Sequence, residues 1–233
     1  MIPIQDNIRA RRTPFMNYSI ILISALVFFM KLGLEPQEVQ AVFMRFGAVP
    51  EQIMADPSLE QLGTLFSSMF LHGSWFHLLS NMWALFIFGD NIQDCMGPWR
   101  YLFFYLTAGL IAAGLHVLLH PESSLPVVGA SGAIAGVMGA YLILYPRARV
   151  FTLLFIGIPW FIQIPAIVYF GVWFVTQLIQ GLMSLGVIGT GNSFGGVAWW
   201  AHVGGFATGL ILVWFLRDRE SIACRYDEEY SPW

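Results

Sequence analysis

The 233-residue sequence is 57% apolar and only 11% charged, with a net charge of −3. A soluble domain carries about 25% charged residues, so the composition excludes an ordinary soluble globule and points to a bilayer as the solvent for its apolar surface. The small acidic balance, with no basic stripe interleaved with aromatics, speaks against nucleic acid as a partner.

The chain opens with Arg9-Ala10-Arg11-Arg12, a polar turn and an apolar run from Met16 to Met30. A secretory signal has this order, but the run is long for a signal core and no small-x-small cleavage site follows it. It reads instead as a first spanning helix over 17–33, behind a cytoplasmic segment 1–15. The long loop 34–75 mixes Glu35, Glu38, Glu51 and Glu60 with Val39, Val42, Phe43, Phe46, Ile53 and Met54. That mixture predicts short amphipathic helices lying in the membrane interface.

Five more helices follow, over 76–92, 99–119, 130–145, 162–183 and 197–216. Pro98, Pro121, Pro126, Pro146, Pro159 and Pro165 fall at or near the joins. Between Arg149 and Arg217 there is no Asp, Glu, Lys or Arg, which leaves room for two spans and a turn. The second, fourth and sixth helices read as short and rich in Gly, Ala and Ser, suited to burial among other helices. The expected fold is an all-α membrane protein, a bundle of six transmembrane helices across 16–216, with a charged, loosely ordered cytoplasmic tail 217–233.

Orientation follows from Lys and Arg. With the N-terminus cytoplasmic, Arg9, Arg11, Arg12, Arg100, Arg147, Arg149, Arg217, Arg219 and Arg225 lie inside, and only Lys31 and Arg45 outside. The reading is N-in and C-in. Cys95 and Cys224 then both face the cytoplasm, where thiols stay reduced.

Polar groups inside a membrane are costly, and each asks for a reason. Three phrases stand out: His77-Leu78-Leu79-Ser80-Asn81, Gly129-Ala130-Ser131-Gly132 and Ala201-His202-Val203-Gly204-Gly205. They open the second helix, open the fourth, and lie in the sixth. With the N-terminus inside, even-numbered helices all start at the outer face. His202 sits roughly 7–8 Å below the start of its helix at 1.5 Å per residue, so the four polar groups share one level. Gly132 and Gly136, and likewise Gly205 and Gly209, repeat at the four-residue spacing that lets helix backbones meet closely. Such a contact brings Ser131 to His202.

A serine hydroxyl is a poor nucleophile until a base takes its proton. Neutral His202 is the base at hand. No Asp or Glu occurs between Glu122 and Asp218, so the expected machinery is a Ser–His dyad whose histidine is oriented by packing. Ser131, at a helix N-terminus, has free N–H groups and the helix dipole to hold an oxyanion. His77 and Asn81, four residues apart on one face, are further donors. Gly129 and Gly132 leave room for a substrate backbone, and Gly205 for close helix packing.

Taken singly, each signal has a plainer explanation. Serine among small residues usually packs, a lone membrane histidine usually bonds between helices, and His77 and Asn81 suit a helix cap. Chance seldom puts all four at one depth. His72 reads as support for the long loop. His116 and His120 have metal-like spacing, but only Glu122 is near as a third ligand, so they read as helix-end polar groups. No metal or organic cofactor is expected, and Gly129–Gly132 lacks the lysine of a phosphate loop.

These motifs resemble the rhomboid family, from about Phe70 to Leu216. The resemblance is carried by His72-Gly73-Ser74-x-x-His77-x-x-x-Asn81-Met82 and by Gly97 before an aromatic-rich third helix. Gly129-x-Ser131-Gly132 and Ala198-x-x-Ala201-His202-x-x-Gly205-x-x-x-Gly209 complete it. It implies a six-helix fold and cleavage of the transmembrane segments of other membrane proteins in the lipid bilayer. It implies Ser131 as nucleophile, His202 as base, and His77 and Asn81 as oxyanion donors. It also implies a long loop lying sideways in the membrane, a lid over 184–194, and a lateral gate on the fifth helix with Trp173 and Phe174. Two positions depart from the family pattern. Gly63-Thr64 stands where some rhomboids carry a Trp-Arg pair, and Ala135 stands where some carry an aromatic one turn after the serine.

The expected function is therefore an intramembrane serine endopeptidase, placed by its compact length in a bacterial inner membrane. One rival is a catalytically silent rhomboid-like protein that binds membrane helices, which has no need of Ser131 and His202 together. Another is a small transporter of broken helices, against which stand the charge-free run and the lack of a repeat.

Overall fold

The computed structural model describes residues 1–186, 197–218 and Cys224. The fold is mainly helical. Helix α1 (Phe15–Met30) is uniformly apolar, and a chain segment of short helices follows it: α2 (Pro36–Phe46), α3 (Pro50–Ala55) and α4 (Leu59–Ser67). Proline near the first position starts α2 and α3, a reciprocal Glu35–Glu38 capping box closes the head of α2, and the Ser58 hydroxyl caps α4. The short helices expected in this loop are present, with Phe46, Leu59, Leu62 and Phe66 exposed.

Helix α5 (Trp75–Met96) ends at Gly97, whose φ of +76° lets the chain turn directly into α6 (Pro98–Leu119). At 22 residues α5 is as long as α6, not the short helix expected; it runs one turn past the expected end at 92, through the polar Gln93 and Asp94 to Met96. Helix α7 (Ser131–Leu144) lies at the centre, and α8 (Ala166–Ser184) and α9 (Trp199–Leu216) complete the bundle. By length and composition α6, α8 and α9 suffice to cross a membrane, while α1 and α7 are apolar but shorter. A buried polar knot ties α1 in: Tyr101 donates to the Asn17 side chain, which donates in turn to the Leu85 carbonyl oxygen at 2.9 Å.

The expectation of an all-helical chain needs amendment. Strands β1 (Ile2–Asp6), β2 (Arg149–Ile156) and β3 (Ile158–Pro165) form an antiparallel sheet in that order. Ile2 pairs with Leu153, and Val150 with Ile164. Pro159 and Pro165 supply no N–H and break a helix, whereas the β-branched and aromatic residues between them suit a strand. The helix expected from 162 therefore begins at Ala166. Gly157, with φ +82°, makes the tight connection.

Helix α7 packs on α9 and α6 through small residues. A methyl group on Gly205 would overlap the Gly132 carbonyl oxygen, and one on Gly209 the Gly136 carbonyl oxygen. On the other side, a Cβ on Gly132 or Gly136 would lie 2.7 Å from Ala112 or Ala108 of α6. Cys95 and Cys224, expected to stay reduced, are instead joined as a disulfide. Beyond α9 the Asp218 N–H donates to the Cys95 carbonyl, and the Cα atoms of Cys95 and Cys224 stand 4.8 Å apart.

Candidate active site

The N-terminal ends of α5, α7 and α9 converge. On α5 the Ser74 hydroxyl caps the helix by accepting the His77 N–H at 3.1 Å, which fixes His77 in the first turn and Asn81 one turn on. The Gly73 N–H approaches His77 Nδ1 at 3.5 Å, an arrangement that leaves the proton on Nε2. That nitrogen faces Gly129, whose φ is +124° and where a Cβ would come within 2.6 Å of it. Only glycine fits there on both counts. The Gly129 N–H is held by the Ser68 carbonyl at 2.9 Å, so the loop ahead of α7 is pinned to the segment ahead of α5.

Ser131 is the first residue of α7. The first bond of the helical ladder runs from Ile134 N–H to the Ala130 carbonyl, so the N–H groups of Ser131, Gly132 and Ala133 precede it. His202, in the first turns of α9, puts Nε2 2.8 Å from Ser131 Oγ. A neutral ring at that distance can take the hydroxyl proton. Asn81 is buried, and its Nδ2 has no hydrogen-bond partner. A buried amide donor is normally satisfied, so this one is free for an oxygen that arrives with a ligand.

The structure thus gathers Ser131, His202, His77, Asn81 and Gly129 in one place, with Gly132 and Gly205 just below at the α7–α9 contact. A cavity of about 510 Å³ opens over them between Gly73, Val127 and Val197. A second, of about 590 Å³, reaches Ser131 and His202 from the side, between α5 and α8, and its wall includes Met1 and the first three residues of β1, Ile2, Pro3 and Ile4. The Trp83 indole on α5 donates to the Pro3 carbonyl at 2.6 Å, which seats β1 in that cleft.

Three sets of contacts at the site were not foreseen. Gln177 of α8 puts Oε1 2.7 Å from His202 Nδ1, so the histidine is oriented by a hydrogen bond as well as by packing. Trp173, one turn earlier, lies with its ring centroid 5.8 Å from that of His202, and Trp199 meets the same ring edge-on at 6.1 Å. These two indoles lie beside the His202 ring, and Ala135 brings no ring there. The third is β1. A polar Gln inside an apolar run was a signal for the first; nothing in the sequence marked β1.

His72 is buried beside His77, and its carbonyl accepts the Lys31 ammonium. Burial first, then the neighbouring His77, pushes His72 down to about 4, so it stays neutral. At the other departure from the family pattern, Thr64 is buried within α4 and its hydroxyl donates to the Gln61 carbonyl. The rings of His116 and His120 meet at 4.7 Å, but among the described residues no three His, Cys, Asp or Glu side chains form a metal-binding group. The lid expected over 184–194 falls for the most part outside the described residues. Trp173 and Phe174, expected at a gate, both pack on Phe206 of α9.

Comparison with known proteins gives the family. A sequence model described as the Rhomboid domain matches residues 59–219. Rhomboid protein 1, mitochondrial, of Saccharomyces cerevisiae is 28% identical over 66% of this chain and 41% of its own length. RHOMBOID-like protein 6, mitochondrial, of Arabidopsis thaliana is 30% identical over 72% of this chain and 52% of its own. Rhomboid-like protein 11, chloroplastic, of the same plant is 28% identical over 71% of this chain and 56% of its own. The chain thus spans about half the length of these curated relatives. None of the three is bacterial, and the expectation of a bacterial inner membrane draws no support from them. With the family's domain matched over most of the sequence and helices fit to cross a bilayer, the chain is an integral membrane protein that belongs to the rhomboid family.

Proposed function

We propose that this chain is an intramembrane serine endopeptidase that cuts transmembrane segments of other membrane proteins. The observation that carries the reading is the 2.8 Å approach of His202 Nε2 to Ser131 Oγ at the head of a central helix. The unpaired Asn81 amide beside it supports the same reading. In this reading α1, α5, α6, α7, α8 and α9 are the six spans. Residues 16–216 form one membrane domain, and the arginine distribution favours a cytoplasmic place for both ends (1–15 and 217–233), against which stands the Cys95–Cys224 disulfide.

His202 takes the Ser131 proton as Oγ attacks the scissile carbonyl carbon. The carbonyl electrons move to oxygen, and the Ser131 N–H, the Asn81 amide and His77 Nε2–H hold that oxyanion. The oxyanion collapses, the C–N bond breaks, and His202 returns its proton to the leaving amine. Water, deprotonated by the same ring, then releases the acyl group from Ser131. A helical substrate shields its carbonyls, so a substrate must unwind locally, and small or helix-breaking residues aid cleavage. A rigid poly-Leu span cut as fast as a Gly-containing one would refute the unwinding step.

The direct test is labelling of the purified protein by a fluorophosphonate, which reports only an activated serine. Labelling of wild type that is lost in Ser131→Ala and in His202→Ala is the expected result. A folded wild type that does not label would favour the silent, helix-binding alternative.

A further inference from the structure

His202 makes two hydrogen bonds, and they are not independent. A neutral imidazole has one N–H donor and one lone-pair acceptor. For Nε2 to receive the Ser131 proton it must carry the lone pair, so the ring proton has to sit on Nδ1 and needs an acceptor there. Gln177 Oε1, 2.7 Å away, is that acceptor. The orientation of the Gln177 amide is itself set. Its Nε2 lies 3.2 Å from the Trp173 carbonyl and 3.1 Å from the Thr176 hydroxyl, and that hydroxyl spends its own proton on the same carbonyl at 2.6 Å. A flipped amide would set its oxygen against the Trp173 carbonyl oxygen and turn an N–H donor, not an acceptor, toward Nδ1.

We propose that Gln177 is a positioning residue for His202, completing a Ser131–His202–Gln177 relay in which the neutral amide selects the tautomer of the base; this rests on the protease reading above. A carboxylate could do the same, but an isolated charge buried at this depth is expensive. An amide holds the ring without one. The other titratable side chains facing His202 are His77 from α5 and His116 from α6, and neither offers Nδ1 an acceptor among the described hydrogen bonds. The bond also comes from α8 whereas both members of the dyad are on α7 and α9, so the base is correctly held only while α8 is seated.

The test is the inactivation of the full-length protein by a fluorophosphonate, resolved into the affinity of the initial complex and the rate of the covalent step, across the titration range of histidine. Gln177→Met matches the length and removes the acceptor. It should slow the covalent step about 10- to 100-fold while leaving the initial affinity and the melting temperature near wild type. Gln177→Glu restores an acceptor and adds a charge that favours the imidazolium. It should recover most of the rate, with the profile moved to higher pH. A merely structural role would give two variants with lowered melting temperatures and an unmoved pH profile. Should the variants fail to fold, ¹⁵N-histidine spectra of the wild type decide the matter: an Nε2-protonated His202 overturns the proposal, and the Nδ1-protonated form supports it. Wild-type labelling with Gln177→Met unchanged sinks Gln177 alone. No labelling of wild type sinks the protease reading and this one with it.

Discussion

Helices α7 and α8 carry parts of one site and are held in opposite ways. Eleven of the 14 residues of α7 are buried, against five of the 19 of α8. Glycine carbonyls of α7 touch the backbone of α9 directly, whereas Gly171 of α8 has no neighbour within 4 Å of an added Cβ. Yet one of the few buried residues of α8 is Gln177. Ser131 and His202 sit on a locked pair, and Gln177, which bonds to His202, sits on a loosely packed helix. The close packing fixes the distance from Ser131 to His202, and the second bond to His202 comes from a helix that can yield.

The largest test of this contrast is a side chain in the seam. Gly205→Val would push into the Gly132 carbonyl, which cannot swing aside as a side chain would. We expect destabilisation at or beyond the top of the ~1–3 kcal/mol range for overpacking, read as a lower melting temperature and lost labelling. Gly171→Ala on α8 should change stability by less than about 1 kcal/mol. If the two variants melted alike, the contrast would be wrong.

Next comes Asn81→Ala, which deletes one unpaired donor beside Ser131 and leaves the seam alone. Loss of such a donor costs about 10²- to 10³-fold in turnover. Cleavage of a Gly-containing transmembrane peptide at unchanged melting temperature is the measurement. Trp173→Ala then removes one ring from beside His202. An aromatic contact is worth about 0.5–1.5 kcal/mol, so labelling should slow at most about 10-fold, and Trp173→Phe should keep most of the rate.

The smallest effect concerns β1. Burial raises the Asp6 carboxyl from 3.8 to about 7, with Asp90 adding to the rise, and Tyr141 and Asn91 donate to it. A raised pKa means that the docked strand binds the proton more tightly than the free chain. Its contribution is complete below pH ~4 and is lost as pH rises through 7. Hydrogen exchange at Gln5 and its neighbours should therefore quicken from pH 6 to 8 beyond the intrinsic rate, by about 10-fold or less. Asp6→Asn should abolish that excess.

Much of the site was legible because a bilayer makes each polar residue conspicuous. Ser131, His202, His77 and Asn81 stood out against an apolar chain, and the four-residue glycine spacing anticipated the α7–α9 contact. Gln177 is also a polar residue in an apolar run, but it lies 25 residues from His202 on another helix, and no local pattern joins the two. The sheet was hidden because a charge-free run has the same composition as helix or strand; only Pro159, Gly157 and Pro165 told against a helix. Partners far apart in sequence, such as Ile2 with Leu153 or Cys95 with Cys224, leave no local pattern at all.

The Cys95–Cys224 bond closes a ring of chain that contains α6 through α9, and with them Ser131, Gln177 and His202. A protease nick anywhere on that ring produces two pieces that still migrate as one band on a denaturing gel. Adding dithiothreitol should split the band. The same ring means that a nicked molecule keeps both halves of its site tethered through detergent exchange, so a cut in the chain need not take the site apart.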